Sequence, residues 1–206
     1  MHGDNVKLTI GGLLFNGFEP LDIFGPLEVF GALSKITSGQ VKIITVSENG
    51  GLISDAYGLK VFSDYKLKDY HEIDVFLIPG GMGTRTEVNN ERLIEYILSY
   101  AEKTANVISI CTGAALLAKT GLIDGIKATT NKIAFDWVSS QNEKVSWIKK
   151  ARWVNSGKFY TSAGVSAGID ATLAFISDKF GKETATKISA YMEYVWNQDP
   201  SLDAFS

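Results

Sequence analysis

The chain of 206 residues carries a single cysteine, at a place where a nucleophile could work. In Ile108-Ser109-Ile110-Cys111-Thr112-Gly113-Ala114 an apolar, strand-like run passes directly into small helix-forming residues, which puts the thiol at a strand-to-helix junction. Such a junction lifts a side chain above a sheet, and the unpaired N–H groups of the following helix favour thiolate over thiol. The competing reading of Cys111 is a small buried hydrophobe that fills the core. A second segment, Ile78-Pro79-Gly80-Gly81-Met82-Gly83, sets consecutive glycines at a strand end. Their backbone N–H groups could close around negative charge developing on a substrate. The segment has neither the G-x-x-x-x-G-K-[ST] of a phosphate loop nor the G-x-G-x-x-G of a dinucleotide-binding turn. The third is Phe18-Glu19-Pro20-Leu21-Asp22-Ile23-Phe24-Gly25-Pro26. Asp22 stands there among apolar neighbours, where desolvation raises a carboxyl pKa and suits it to proton transfer. Pro26 has no N–H for the carbonyl of Asp22, so the helix is expected to distort there. Glu19 reads as a helix-start carboxylate favoured by the dipole.

Alternating strands and helices are the elements that must bring these three segments together. Residues 6–15 (VKLTIGGLLF) read as a buried strand and 20–34 as a Gly/Pro-punctuated helix. Strands follow at 41–48, 74–78 and 106–110, with a hairpin-like stretch over 50–64 and a helix over 90–103. After Cys111 come a short helix ending at Gly121, the segment KATT at 127–130 and a helix over 131–140. Residues 151–163 (RWVNSGKFYTSA) read as a hairpin turning at Asn155-Ser156-Gly157, since Asn and Gly tolerate positive φ. Helices over 165–180 and 182–196, with Gly181 capping the first, close the chain. The apolar runs do not alternate, as expected of parallel strands covered on both faces. In open sheets of that kind ligands bind beyond the carboxyl ends of the strands, where all three segments fall.

The combination GFEPLDIFGPLEVF, LIPGGMGTR, VISICTGAALLAKTGLIDGIKATT and TSAGVSAGID resembles the DJ-1/PfpI (ThiJ) superfamily in order and spacing from about residue 6 to 180. The resemblance implies an α/β flavodoxin-like three-layer sandwich with a mostly parallel central sheet, similar to class I glutamine amidotransferases, and a homodimer. It implies Cys111 as nucleophile and Asp22 as the acid that hydrogen-bonds it and shuttles protons. The N–H groups of Gly81, next to Gly80, and of Thr112 would form the oxyanion-hole equivalent, and Ala163-Gly164-Val165 would line the pocket. LDIFGP and Cys-Thr-Gly look more like the isonitrile hydratase branch, which turns an isonitrile into an N-substituted formamide, than like the proteases. The protease pattern in the family has a histidine directly after the cysteine, where this chain has Thr112. Glyoxalase-like addition to a dicarbonyl uses the same parts, and a redox or small-molecule sensor without turnover is the alternative of another class. Two positions depart from the branch. Thr129-Thr130-Asn131-Lys132 stands where Thr-Thr-His-Trp is common, and Ala163 stands where glycine is frequent. Regulators sharing the pattern add a C-terminal helix-turn-helix region; this chain ends at Ser206 and is read as one domain, 1–206.

Composition narrows the partners. With 20 Lys+Arg against 23 Asp+Glu and a net charge of −3, the chain has no excess positive charge for nucleic acid or an anionic membrane. No apolar run reaches the roughly 18–20 residues of a bilayer-spanning helix. Residues 8–15, the one secretory candidate, have Asp4 in the would-be basic region and no small-residue cleavage site after them, so the protein is expected to be cytoplasmic. Two histidines, His2 and His71, and no ligand spacing among Asp and Glu leave no expected metal site, and no cofactor is expected. His71 precedes the strand at 74–78 and so belongs to the amino edge, opposite Cys111. Arg85 could hold an anionic substrate group or pair with a neighbouring loop. Trp137, Trp147, Trp153 and Trp196 read as core or dimer surface, because no basic residues interleave with them as nucleic-acid stacking would require.

Overall fold

The computed structural model describes residues 7–69 and 71–206; His2, Asp4 and the expected strand start at residue 6 lie outside them. Strand β1 (Lys7–Leu14) leads to helix α1 (Pro20–Thr37), then β2 (Gln40–Ser47), the hairpin β3 (Gly51–Ser54) and β4 (Lys60–Ser63), and β5 (Tyr65–Lys66). Strand β6 (Val75–Ile78) is followed by the single turn α2 (Thr84–Glu87), α3 (Glu91–Lys103), β7 (Asn106–Ser109) and α4 (Gly113–Lys119). The remainder comprises β8 (Lys127–Ala128), α5 (Phe135–Ser140), β9 (Ser146–Trp147), β10 (Trp153–Ser156), β11 (Phe159–Ser162), α6 (Ala167–Phe180) and α7 (Lys182–Tyr191).

Seven strands form the central sheet in the order β10-β11-β7-β6-β1-β2-β5. Every neighbouring pair is parallel except the β10–β11 hairpin. Helices α1, α6 and α7 pack together, and α2, α3 and α5 each pack on α4, so the sheet lies between two helical groups in an α/β sandwich. Burial on both faces explains the unbroken apolar runs: all four residues of β6, Val75 to Ile78, are buried. The strand order reverses between β1 and β6, and the crevice at such a switch point is where an open α/β sheet offers a ligand site.

Several boundaries differ from expectation for local reasons. Helix α1 runs on to Thr37 and stops at Ser38, whose φ of +54° is left-handed. It is continuous through Pro26. The helix expected over 131–140 begins only at Phe135, because the Asn131 side chain accepts the Ala134 N–H at 2.9 Å and holds a turn there. The helix expected from residue 165 begins at Ala167, since Val165 has a φ of +43° that no right-handed helix admits. The last helix ends at Tyr191 rather than 196, with Glu193 at a φ of +51°.

Candidate active site

Three parallel strands deliver the expected site residues to one edge. Cys111 follows β7, the Gly80-Gly81 turn follows β6, and Asp22 lies in the first turn of α1 after β1. Cys111 has a φ of +56°, sterically costly for any residue with a Cβ. Its backbone is pinned on both sides: its N–H donates to the Ala163 carbonyl at 3.2 Å, and its carbonyl accepts the Thr130 hydroxyl at 2.7 Å. The elbow is thus held in place by the two segments that depart from the family pattern.

Asp22 is fully buried, with Oδ2 accepting the Gly80 N–H at 2.8 Å. Its Oδ1 has no hydrogen-bond partner. Burial raises the carboxyl pKa to about 8 against the pull of the Gly80 bond, while nearby Glu19 raises it further. The thiol of Cys111, only 6% exposed, is pushed up to about 12 by burial and by Asp22. The Thr112 and Val165 N–H groups act the other way and are outweighed. The expected depression of the thiol pKa is therefore reversed, because desolvation exceeds the effect of the helix start. At neutral pH the pair is a carboxylic acid beside a thiol.

Gly80 must be glycine because a Cβ there would press on Cys111 Cβ and on the Thr112 backbone. The Gly81 N–H, expected as an oxyanion donor, is engaged: it donates to Thr112 Oγ1 at 3.0 Å. Thr112 Oγ1 also lies 3.0 Å from the hydroxyl of Thr84, which is 2.7 Å from the Gly81 carbonyl. The N–H groups that act on the sulfur are those of Thr112 and Val165. Thr84, fully buried, is a member of this network that sequence reading missed; its only signal was a polar side chain directly after a glycine turn.

A cavity of about 230 Å³ opens on the thiol. Of the expected site residues, Gly81, Cys111, Thr112 and Val165 line it, together with Glu19, Met82, Arg85, Asn131 and Ile133. Ala163 is buried behind Cys111 and contributes its carbonyl, not a wall. Gly164 lies against Asn131, whose side chain fills the place a Cβ would need. Arg85 makes none of the ion pairs found among the described residues; its guanidinium carbon sits 3.3 Å from the centre of the Trp137 ring. Trp137 is therefore a floor under a cation beside the site. His71 packs on Tyr65 with ring centres 3.9 Å apart and planes tilted by 40°, at the amino edge of β6, whereas Cys111 stands at the carboxyl end of β7. A larger cavity of about 630 Å³, between β10, α6 and the segment after α7, holds no cysteine or histidine. Among the described residues no group of three or more His, Cys, Asp or Glu is placed to hold a metal, and no helix is long and apolar enough to cross a membrane.

The sequence profile of the DJ-1/PfpI family matches residues 9–178. The chain is 30% identical over 189 residues to the isonitrile hydratase of Pseudomonas putida, covering 92% of this chain and 79% of that one. It is 22% identical over 187 residues to the HTH-type transcriptional regulator GbdR of Pseudomonas aeruginosa, covering 90% of this chain but only 50% of the regulator. Its fold superimposes on a THiJ/PfpI family protein from Pseudomonas syringae with a TM-score of 0.82 at 24% identity, over 98% of this chain and 80% of that one.

Proposed function

This chain belongs to the DJ-1/PfpI family, and from that premise we propose that it is a cysteine-dependent, cofactor-independent hydratase of small carbon–nitrogen compounds, converting an isonitrile to an N-substituted formamide. One observation carries the reading: the only cysteine stands on a strained elbow beside a buried carboxyl whose pKa of about 8 keeps it a proton donor at neutral pH. An isonitrile carbon asks for a proton and a nucleophile at the same atom, and this pair offers both.

In the proposed sequence Asp22 gives its proton to the terminal carbon as the Cys111 sulfur bonds to it, and the thiol proton passes to the carboxylate left behind. The product is a thioimidate, Cys–S–CH=N–R. Water then adds to that carbon, the C–S bond breaks with return of a proton to sulfur, and nitrogen takes the other proton to give R–NH–CHO. The balance is one isonitrile plus one water to one formamide, and no amine has to be expelled. Peptide hydrolysis would need a base and acid for an amine leaving group, usually histidine, and none stands beside Cys111 among the described residues. The likeness to GbdR supports a second reading, a small-molecule sensor without turnover. A peroxide sensor is disfavoured, because a buried thiol at a pKa of about 12 is a poor thiolate source. We also read the protein as a homodimer, by likeness to its family, which sedimentation velocity would report as twice the chain mass.

The test is formamide production from a panel of alkyl and aryl isonitriles by wild type, Cys111→Ala and Asp22→Asn. Turnover by wild type and its loss in both variants is expected. No turnover by fully reduced wild type would reject the hydratase reading in favour of the sensor or of dicarbonyl addition.

A further inference from the structure

We propose that the cavity over Cys111 selects small substrates bearing a carboxylate, held by Arg85 while the reacting carbon meets the thiol; this rests on Cys111 being the nucleophile assigned above. Arg85 comes from α2, directly after the glycine turn, and lines the same cavity as Cys111. Its guanidinium lies on the Trp137 ring, which belongs to α5. Stacking occupies the face of the guanidinium and fixes its plane, but leaves its in-plane N–H groups to find acceptors. They have not found them in the protein: Nη1 is buried without a hydrogen-bond partner. A buried charged donor left unpaired is costly, and a planar fork held rigid beside a nucleophile is suited to a carboxylate.

Two acidic groups stand near an anion held at Arg85. Asp22 is neutral at pH 7 (pKa about 8). Glu19 lines the same cavity and opposes an anion, but its Oε2 accepts from the Tyr57 hydroxyl at 3.2 Å and it forms no ion pair with Arg85, so the guanidinium is left to the ligand. Burial lowers the Arg85 pKa, yet a guanidinium stays charged at any working pH. At about 230 Å³ the cavity falls below the roughly 300–1,000 Å³ of drug-sized ligand sites, so the substrate is small. The class assigned is therefore a short isonitrile carrying a carboxylate, in preference to its neutral counterpart.

Charge-selective alkylation tests the anchor without requiring turnover. Iodoacetate and iodoacetamide both lose iodide to the Cys111 thiolate and differ only in charge, so the ratio of their rates cancels the reactivity of the sulfur. Followed by mass spectrometry, the iodoacetate-to-iodoacetamide ratio for the wild type is expected to exceed that of free glutathione by about tenfold, the worth of one charge-assisted hydrogen bond. Arg85→Gln should return it to the glutathione value. Arg85→Lys, which keeps the charge but not the fork, should fall between them and serves if the glutamine variant does not fold. A wild-type ratio equal to that of glutathione, or a ratio indifferent to Arg85→Gln, would each overturn the anchor, while failure of both reagents to label Cys111 would overturn the nucleophile on which the proposal rests. A second arm compares an isonitrile carboxylic acid with its methyl ester, where Arg85→Gln should cut the acid-over-ester preference in kcat/KM about tenfold. No turnover of either, with the alkylation ratio intact, would sink the hydratase reading and leave the anchor standing. Equal turnover of both, with a glutathione-like ratio, would do the reverse.

Discussion

Asp22 is the residue on which both the proposed chemistry and the pH behaviour turn. Its ordinary pKa of 3.8 becomes about 8 in the folded protein, so the folded state keeps a proton that the unfolded chain has released. Stability must then fall by roughly 1.4 kcal/mol per pH unit as pH rises between those two values, and level off outside them. Asp22→Asn removes the titration, so urea denaturation should show the variant gaining on wild type from pH 5 to pH 8. A parallel pH dependence in both proteins would mean that the carboxyl is not held protonated by the fold. The same proton predicts the rate: kcat/KM for an isonitrile should decline as pH passes about 8, where the donor is lost. A rate that instead rises through that range, following thiolate formation alone, would remove Asp22 from the role of acid.

At the scale of the elements, the site depends on how the β7–α4 elbow is held. Thr130 donates to the carbonyl of Cys111 at 2.7 Å from a segment that follows the short strand β8. Thr130→Val keeps the shape and deletes the donor, leaving a buried carbonyl whose only other bond is a long one, 3.5 Å, from the Ala114 N–H. The expected cost is about 1–3 kcal/mol in chemical denaturation, with kcat falling more than KM changes, because the proposed nucleophile is loosened rather than the pocket reshaped. Unchanged kcat would show that the positive φ at Cys111 is maintained without Thr130. The three strands and the elbow were legible from unbroken apolar runs and from the small residues after Cys111. The 131–140 and 165–180 helix starts were not, because Asn131 and Val165 adopt turn geometries imposed by contacts and packing that local propensity does not contain.

At the scale of the whole molecule, one buried carboxylate ties the far edge together. Asp170 on α6 accepts from Arg152 Nε at 2.7 Å and Nη2 at 2.6 Å, from the Tyr194 hydroxyl at 3.1 Å and from the Asn197 N–H at 3.0 Å. Arg152 in turn donates its N–H to the Pro200 carbonyl and lies 3.9 Å from Asp203. The edge hairpin, α6 and the segment after α7 thus share one ion cluster. Asp170→Ala would leave a mostly buried guanidinium with only the longer pairing to Asp203, at a cost of about 3 kcal/mol or more. A calorimetric scan should show Tm lowered by about 10 °C; a shift within about 2 °C would mean that Asp203 compensates. What the amino-acid sequence determined by itself was whatever short-range pattern can encode: parallel strands from unbroken apolar runs, the elbow from its junction of strand and small residues, and Asp22 as a desolvated acid from its neighbours. Tertiary structure alone decided the rest. The thiol pKa rises instead of falling because burial and Asp22, 89 positions away in sequence, outweigh the helix N–H groups. Arg85 came to lie on Trp137 because α2 and α5 both pack on α4. Such couplings depend on distance and exclusion of water, which are properties of the packed chain and not of the order of its residues.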